Sequence, residues 1–199
     1  GRVHVCRTSG GDRIPTDLVL VGIGAYANDK LAEAAGLETD NGVVVDENLQ
    51  TSDPAVFAVG DCAKYPASWA NGLTRIESVQ NAVDQAKHVA QVIVNGPRAY
   101  HAVPWFWSVQ GNNRLQMVGV SEASDQVILT GDVERAKFSA LCFRNDVLVA
   151  VESMNMPGEH ISARRLFNSG VPLLIDDVTG ADFSIKDFLK RAEAPMVIH

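Results

Sequence analysis

Thr51-Ser52-Asp53-Pro54-Ala55-Val56-Phe57-Ala58-Val59-Gly60-Asp61-Cys62-Ala63 is the stretch that decides the fold. Ser52, Asp53 and Pro54 are turn residues: proline pre-sets its own φ, and the short polar side chains bond nearby backbone. The apolar run 55–59 then reads as a short strand buried on both faces. Gly60 permits close approach of a ligand or of another backbone, and Asp61 closes the run. A carboxylate just past the carboxyl end of a buried strand lies where open α/β sheets bind their ligands. An isolated Gly-Asp pair is more often a solvated turn. The surrounding residues are what favour the functional reading.

Upstream, residues 2–7 alternate as a strand and 9–12 form a hairpin turn. Residues 17–24 read as a buried strand ending in Gly22 and Gly24. With Ala27 in the third position these glycines match a dinucleotide fingerprint. The acidic residues at a suitable distance, Asp40 and Asp46, fall in a turn and at a strand end, so a hinge is the better reading. Asn28 or Asp29 can cap a short helix over 30–35, closed by Gly36. Residues 37–46 read as a hairpin about Asn41-Gly42.

Downstream, 64–72 reads as a loop and 74–95 as the longest helix. Its stripe of Ile76, Val79, Val83, Val89 and Ile93 has helical spacing, and Gly96-Pro97 stops it. Thr74-Arg75-Ile76-Glu77 fits a capping box, with Thr74 as N-cap and Glu77 at N3. Capping alone accounts for Glu77.

After a linker at 98–102 comes Val103-Pro104-Trp105-Phe106-Trp107-Ser108. Alternation places Trp105 and Trp107 on one face and Phe106 on the other, which is ordinary core construction. Residues 115–120, 126–130, 137–143 and 147–154 read as strands of an antiparallel meander, with a turn at 144–146. Helices are expected over 157–168, closed by Gly170, and over 185–191. Arg164-Arg165 is a solvated helix face on the simplest reading and a contact for an acidic partner on the other.

The 199 residues, 46% hydrophobic and 21% charged, suit one large or two small globular domains. Residues 1–103 carry 8 basic and 12 acidic side chains, and 104–199 carry 9 and 12, for a net charge of −7. That balance opposes a general nucleic-acid footprint. No apolar run reaches the roughly 18 residues of a membrane span. Cys6, Cys62 and Cys142 are widely spaced, as in a reducing compartment without a metal cluster. The chain begins in mid-pattern, so a fragment of a longer protein is expected.

Residues 51–63 resemble the second FAD-binding motif of the pyridine-nucleotide-dependent flavoprotein reductases. Arg75-Ile76-Glu77-Ser78-Val79-Gln80-Asn81-Ala82 and its continuation resemble their third signature segment. Residues 16–24 are similar to the segment that returns the chain from the NAD domain to the FAD domain. There the family continues Gly-x-Arg-Pro-Asn and this chain has Gly24-Ala25-Tyr26-Ala27-Asn28. Residues 104–110 resemble the Pro-Trp-Phe-Trp-Ser-Asp-Gln signature of oxygenase-coupled ferredoxin reductases, with Val109 in place of Asp.

The resemblance implies an α/β fold (a partial FAD-binding domain) followed by a small α+β C-terminal domain with an antiparallel sheet. Residues 1–15 would be the tail of an NAD-binding domain, 16–102 the second half of the FAD domain, and 103–199 the ferredoxin reductase C-terminal domain. It implies that Asp61 bonds the ribityl chain of FAD and that the Val79 backbone contacts the flavin. Glu77 would lie near the nicotinamide of NAD(P)H, Trp105 would wall the flavin, and Trp107 would mark the electron exit. The implied activity passes electrons from NADH through FAD to a [2Fe–2S] ferredoxin of an oxygenase system, in the cytoplasm. Without an upstream ADP-binding unit, these residues alone are expected to bind FAD weakly or not at all and to show no NADH oxidation. Two alternatives stay open: an NADH oxidase or disulfide reductase of the same superfamily, and a non-catalytic module that binds a partner or forms a homodimer.

Overall fold

The computed structural model describes residues 1–67, 69–70, 72–122, 124–180 and 182–192. The chain opens with the expected hairpin. β1 (Val5–Arg7) runs antiparallel to β2 (Arg13–Pro15), with Cys6 opposite Ile14. Residues 17–24 were expected as a buried strand and form neither strand nor helix. Leu20 is 94% exposed and Ile23 91%. An apolar run becomes a strand only where a neighbour takes up its backbone groups, and no described strand pairs with this one. No helix starts at Gly24, as a dinucleotide turn would require; α1 (Lys30–Ala34) begins later. Asp29 occupies its cap position, but its carboxylate accepts the Gly42 N–H at 2.8 Å instead of a helix amide.

The hairpin expected over 37–46 reduces to a single Thr39–Val43 bridge. β3 (Val43–Val44) pairs parallel with β4 (Ala63–Pro66), which pairs antiparallel with β5 (Leu73–Thr74). The expected loop at 64–72 is therefore strand in its first part; Ser68 and Asn71 of that loop lie outside the described residues. The run 55–59 is not a buried strand either. It is held by one bridge, Gln50 to Phe57, and by the Ala58 N–H to the Leu49 carbonyl at 3.2 Å.

The long helix starts later than the capping-box reading gives. Thr74 is the last residue of β5, and α2 runs Val79–Asn95 with Ser78 as N-cap. The Asn81 N–H donates to Ser78 Oγ at 3.0 Å. Buried Asn81 decides this start. Its Nδ2 donates to the Ile76 carbonyl at 3.1 Å, while the Tyr65 and Tyr100 hydroxyls lie 3.4 and 3.5 Å from its Oδ1. Residues 75–78 are thereby held out of the helix. The core beneath gathers Val45, Leu49, Tyr65, Val89 and Tyr100.

The second half is a five-stranded antiparallel sheet of β6 (Trp105–Gln110), β7 (Asn113–Gly119), β8 (Gln126–Asp132), β9 (Lys137–Arg144) and β10 (Val147–Met154). Its order, β6-β7-β10-β9-β8, is not a simple meander: β10 returns to lie between β9 and β7. The aromatic segment supplies the edge strand β6. α3 (Pro157–Ser169) and α4 (Ile185–Ala192) cover one face over Val118, Leu141, Phe143 and Val151. The Glu159 carboxylate accepts the Ile185 N–H at 2.9 Å and so ties the start of α4 to α3. The fold is α/β followed by α+β, as expected.

Two predictions follow from this packing. Asn81→Ala leaves the two tyrosine hydroxyls and the Ile76 carbonyl without their shared partner, and should cost about 2–3 kcal/mol in urea unfolding. Tyr65→Phe and Tyr100→Phe should each cost about 1 kcal/mol or less, because their bonds are long. His160 is only 2% exposed. Burial, with Arg164 and Arg114 nearby, holds its pKa near 4 against the ordinary 6.5. The folded state keeps it neutral while the unfolded chain takes up a proton, so stability present above pH 6.5 is lost as pH falls towards 4. Across that range the wild type should lose up to roughly 3 kcal/mol more than His160→Phe, read from urea midpoints at a series of pH values.

Candidate functional site

The decisive stretch ends in a single 3-10 turn, Gly60–Cys62, entered from extended Val59. Gly60 has φ +79°, and a Cβ there would sit 3.2 Å from the Ala82 Cβ. The turn is therefore pressed onto the first turns of α2. Fully buried Gln85, one turn further along α2, accepts the Gly60 N–H at 2.7 Å. Asp61 follows directly and is exposed. Among the described residues its carboxylate has no hydrogen-bond partner; only its carbonyl is engaged, by Arg75 Nη1 at 2.8 Å.

Arg75 joins the pieces. The same Nη1 donates to Glu77 Oε1 at 2.6 Å, and the Arg75 side chain is only 13% exposed. Gly42 makes room for this arrangement: a Cβ at that position would come within 3.0 Å of both Arg75 Cδ and the Cys62 carbonyl. Val79, the first residue of α2, is 71% exposed. The first-turn amides of a helix have no intrahelical acceptor, and this end carries the positive pole of the helix dipole. Ser78 takes up the Asn81 amide, while those of Val79 and Gln80 have no acceptor within the helix. The structure thus sets the turn that carries Asp61 against the first turns of α2, and Arg75 ties the Asp61 carbonyl to Glu77, two residues before Val79.

A cavity of about 520 Å³ opens next to this place, between residues 75–77 and the second sheet. Arg75, Glu77, Trp105, Phe106, Met117 and Glu152 contribute to its lining. Phe106 stands opposite Met117 in the β6–β7 register, on the sheet face turned away from α3. The Trp105 ring points the other way. It meets the Trp107 ring at 5.7 Å between centroids and His160 at 5.7 Å, and the Arg164 guanidinium carbon lies 3.8 Å from its centroid. Trp107 is 44% exposed and lies outside the cavity lining. Trp105 therefore borders the cavity from its strand while its ring belongs to the α3 side.

Arg75, Gln85 and Phe106 were not singled out from sequence. The Arg-x-Glu spacing was the signal available for Arg75, and the alternation of the aromatic triplet was the signal for Phe106. Nothing marked Gln85: it lies off the expected apolar stripe, of which Val79, Val83 and Ile93 are exposed, whereas Asn81, Gln85, Val89 and Val92 form the buried face. Burial pushes the Cys142 thiol up to about 11, with Glu152 adding to the shift, so it is no ready nucleophile. Cys6, Cys62 and Cys142 are all free. Among the described residues no group of three His, Cys, Asp or Glu could hold a metal ion, and no helix is long and apolar enough to cross a membrane. The donor set fits a flavin dinucleotide. A ring edge that gains negative charge suits the Val79 and Gln80 amides, and a hydroxylated chain suits the unpaired Asp61 carboxylate.

Residues 1–86 match the pyridine nucleotide-disulphide oxidoreductase family, and residues 105–189 match the reductase C-terminal family. Rhodocoxin reductase of Rhodococcus erythropolis is 44% identical over 191 residues, covering 96% of this chain and 45% of that protein. The ferredoxin reductase of the CYP199A2 system from Rhodopseudomonas palustris superposes with a TM-score of 0.88 at 38% identity, over 97% of this chain and 47% of the other. Putidaredoxin reductase in its covalent complex with putidaredoxin superposes with a TM-score of 0.85 at 38% identity, over 94% and 45%. The chain spans slightly less than half the length of these relatives. The chain belongs to the pyridine nucleotide-disulphide oxidoreductases, in the group that carries the reductase C-terminal domain.

Proposed function

We propose that this chain is the C-terminal part of an FAD-dependent NAD(P)H:ferredoxin reductase that delivers electrons to a [2Fe–2S] ferredoxin of an oxygenase system. The observation that carries the reading is the meeting of Asp61 with the start of α2, fixed by Gln85 and Arg75. The names of the relatives support it: one is rhodocoxin reductase, and another was crystallised joined to its putidaredoxin. In this reading residues 1–15 end an NAD-binding domain, 16–102 complete an FAD domain, and 103–199 form the carrier-facing domain. The exposed apolar residues Leu18, Leu20 and Ile23 then lie against the remainder of the FAD domain. Three free cysteines support a cytoplasmic setting.

Each residue has a definite task. Asp61 accepts a hydrogen bond from a ribityl hydroxyl. The amides of Val79 and Gln80 donate to the pyrimidine edge of the ring, where the helix dipole favours negative charge. FAD, when bound, would supply the redox chemistry: hydride acceptance from NAD(P)H and release of single electrons. Glu77, oriented by Arg75, stands at the cavity where the nicotinamide approaches. Phe106 and the strand at Trp105 exclude water from that cavity, and Trp107 marks the exit towards the carrier. The disulfide reductase alternative turns on a cysteine pair upstream of these residues, and the resemblance of residues 104–110 to the ferredoxin reductase signature weighs against it.

A chimera tests the reading. Joined behind the N-terminal half of rhodocoxin reductase, this chain should take up one FAD per polypeptide and reduce a [2Fe–2S] ferredoxin with NADH. In that chimera Asp61→Ala removes a hydrogen bond to a charged group, worth about 1.5–3 kcal/mol. FAD should then bind about tenfold to a hundredfold more weakly, measured by flavin fluorescence titration. A folded chimera that stays colourless in excess FAD would overturn the proposal.

A further inference from the structure

On the sheet face away from the cavity, Arg164 of α3 meets the tryptophans of β6, and it has no task in the proposed function. Trp105 and Trp107 stand two apart on the edge strand β6, opposite Val118 and Gln116 of β7. Their rings are 5.7 Å apart and tilted by 31°. Edge-strand side chains are not normally held in one arrangement, and Trp107 is 44% exposed. α3 supplies what the sheet does not. Arg164 lays its guanidinium on the Trp105 ring, 3.8 Å from the centroid. One helical turn earlier, His160 meets the same indole at 5.7 Å.

Two further observations bear on this contact. Asp84 of α2 lines the same small cavity of about 100 Å³ as Arg164 and Trp105. No ion pair joins Asp84 to Arg164 among the described residues; Asp84 accepts from Gln80 Nε2 at 2.7 Å instead. Arg164 is thus placed on the ring and not on the carboxylate. Both ring nitrogens of buried His160, and the Oε1 of Gln116 opposite Trp107, are buried with no hydrogen-bond partner. Buried polar atoms are seldom left unpaired. His160 meets the Trp105 ring at 5.7 Å, and Gln116 stands opposite Trp107.

We propose that Arg164 is a positioning residue that fixes Trp105 and, through it, holds Trp107 in a single stack at the exposed edge of the sheet. A cation over an indole face is directional, because the attraction follows the ring quadrupole. It therefore sets the plane of Trp105, and ring–ring contact passes that plane to Trp107. The inference rests on the proposed function only for what the stack serves, a carrier-facing surface with one defined aromatic geometry. The stack itself requires neither flavin nor carrier.

Circular dichroism of the 199-residue chain tests this directly, because two indoles in fixed contact give a far-ultraviolet exciton couplet. The wild type should show the couplet, and Trp107→Phe should abolish it. Arg164→Gln, which keeps much of the stem and removes the charge, should lose at least half of its amplitude with the thermal midpoint nearly unchanged. Arg164→Lys should recover most of that amplitude. A wild type without a couplet, or a folded Arg164→Gln protein with the full couplet, would overturn the proposal. Should Arg164→Gln fail to fold, Arg164→Lys against Arg164→Met decides: equal couplets in the two would refute a role for the charge, and a couplet in the lysine variant alone would support it. All these readings are taken without FAD, so they stand whether or not the flavin assignment holds.

Discussion

The hydrogen bond from the Gly60 N–H to Gln85 is the constraint on which the site depends. A buried backbone donor must find an acceptor, and the acceptor here is the fully buried Gln85 side chain, at 2.7 Å. Accepting that bond sets the turn against α2, where a Cβ at Gly60 would crowd the Ala82 Cβ at 3.2 Å and the φ of +79° favours glycine. Once Gly60 is placed, Asp61 has no freedom to leave the mouth of the helix. Its carbonyl meets Arg75, and its carboxylate has no hydrogen-bond partner among the described residues. Arg75 then aligns Glu77, and Gly42 clears the space Arg75 occupies. A short chain of contacts through Gln85, Gly60, Asp61, Arg75 and Glu77 converts helix position into site geometry.

Much of this was legible in the sequence because it depends on local chemistry. The hairpin at 5–15, the strands 126–132, 137–144 and 147–154, and the helix after Pro157 with Gly170 in a left-handed cap follow from alternation and turn residues. The convergence of Asp61 and Val79 was legible as motif order. The start of α2 was not. Thr74 to Glu77 has the composition of a capping box, but Asn81 binds the Ile76 carbonyl and two tyrosines converge on its side chain. A tertiary hub of that kind leaves no periodic trace, and it outweighs a cap worth about 1 kcal/mol.

The two apolar runs expected as buried strands show the complementary limit. Residues 55–59 and 17–24 are apolar without interruption, which is how strands covered on both faces read. Apolarity says that a segment is to be covered; it does not supply the neighbour that takes its amide groups. In this chain 55–59 obtains one bridge and stays irregular, while 17–24 obtains none and stays exposed. Strand order in the second sheet was hidden for a related reason. Four consecutive strands permit a meander, whereas the observed order sets β10 between β9 and β7 beneath the core shared with α3 and α4.

The aromatic triplet shows how one strand divides its labour. Side chains alternate across a sheet, so a one-residue change of register exchanges its faces. In the register observed, Trp105 faces α3 and Arg164 while Phe106 faces the cavity beside Glu77. Proximity in sequence would assign all three rings to one site. The pleat separates them into a wall for the cavity and a stack at the edge, joined by the backbone of β6. The two faces therefore answer to different restraints: Phe106 to the cavity that residues 75–77 close, and the indoles to α3. A substitution on one face leaves the other face's packing in place, so the cavity wall and the indole pair can change independently on adjacent residues.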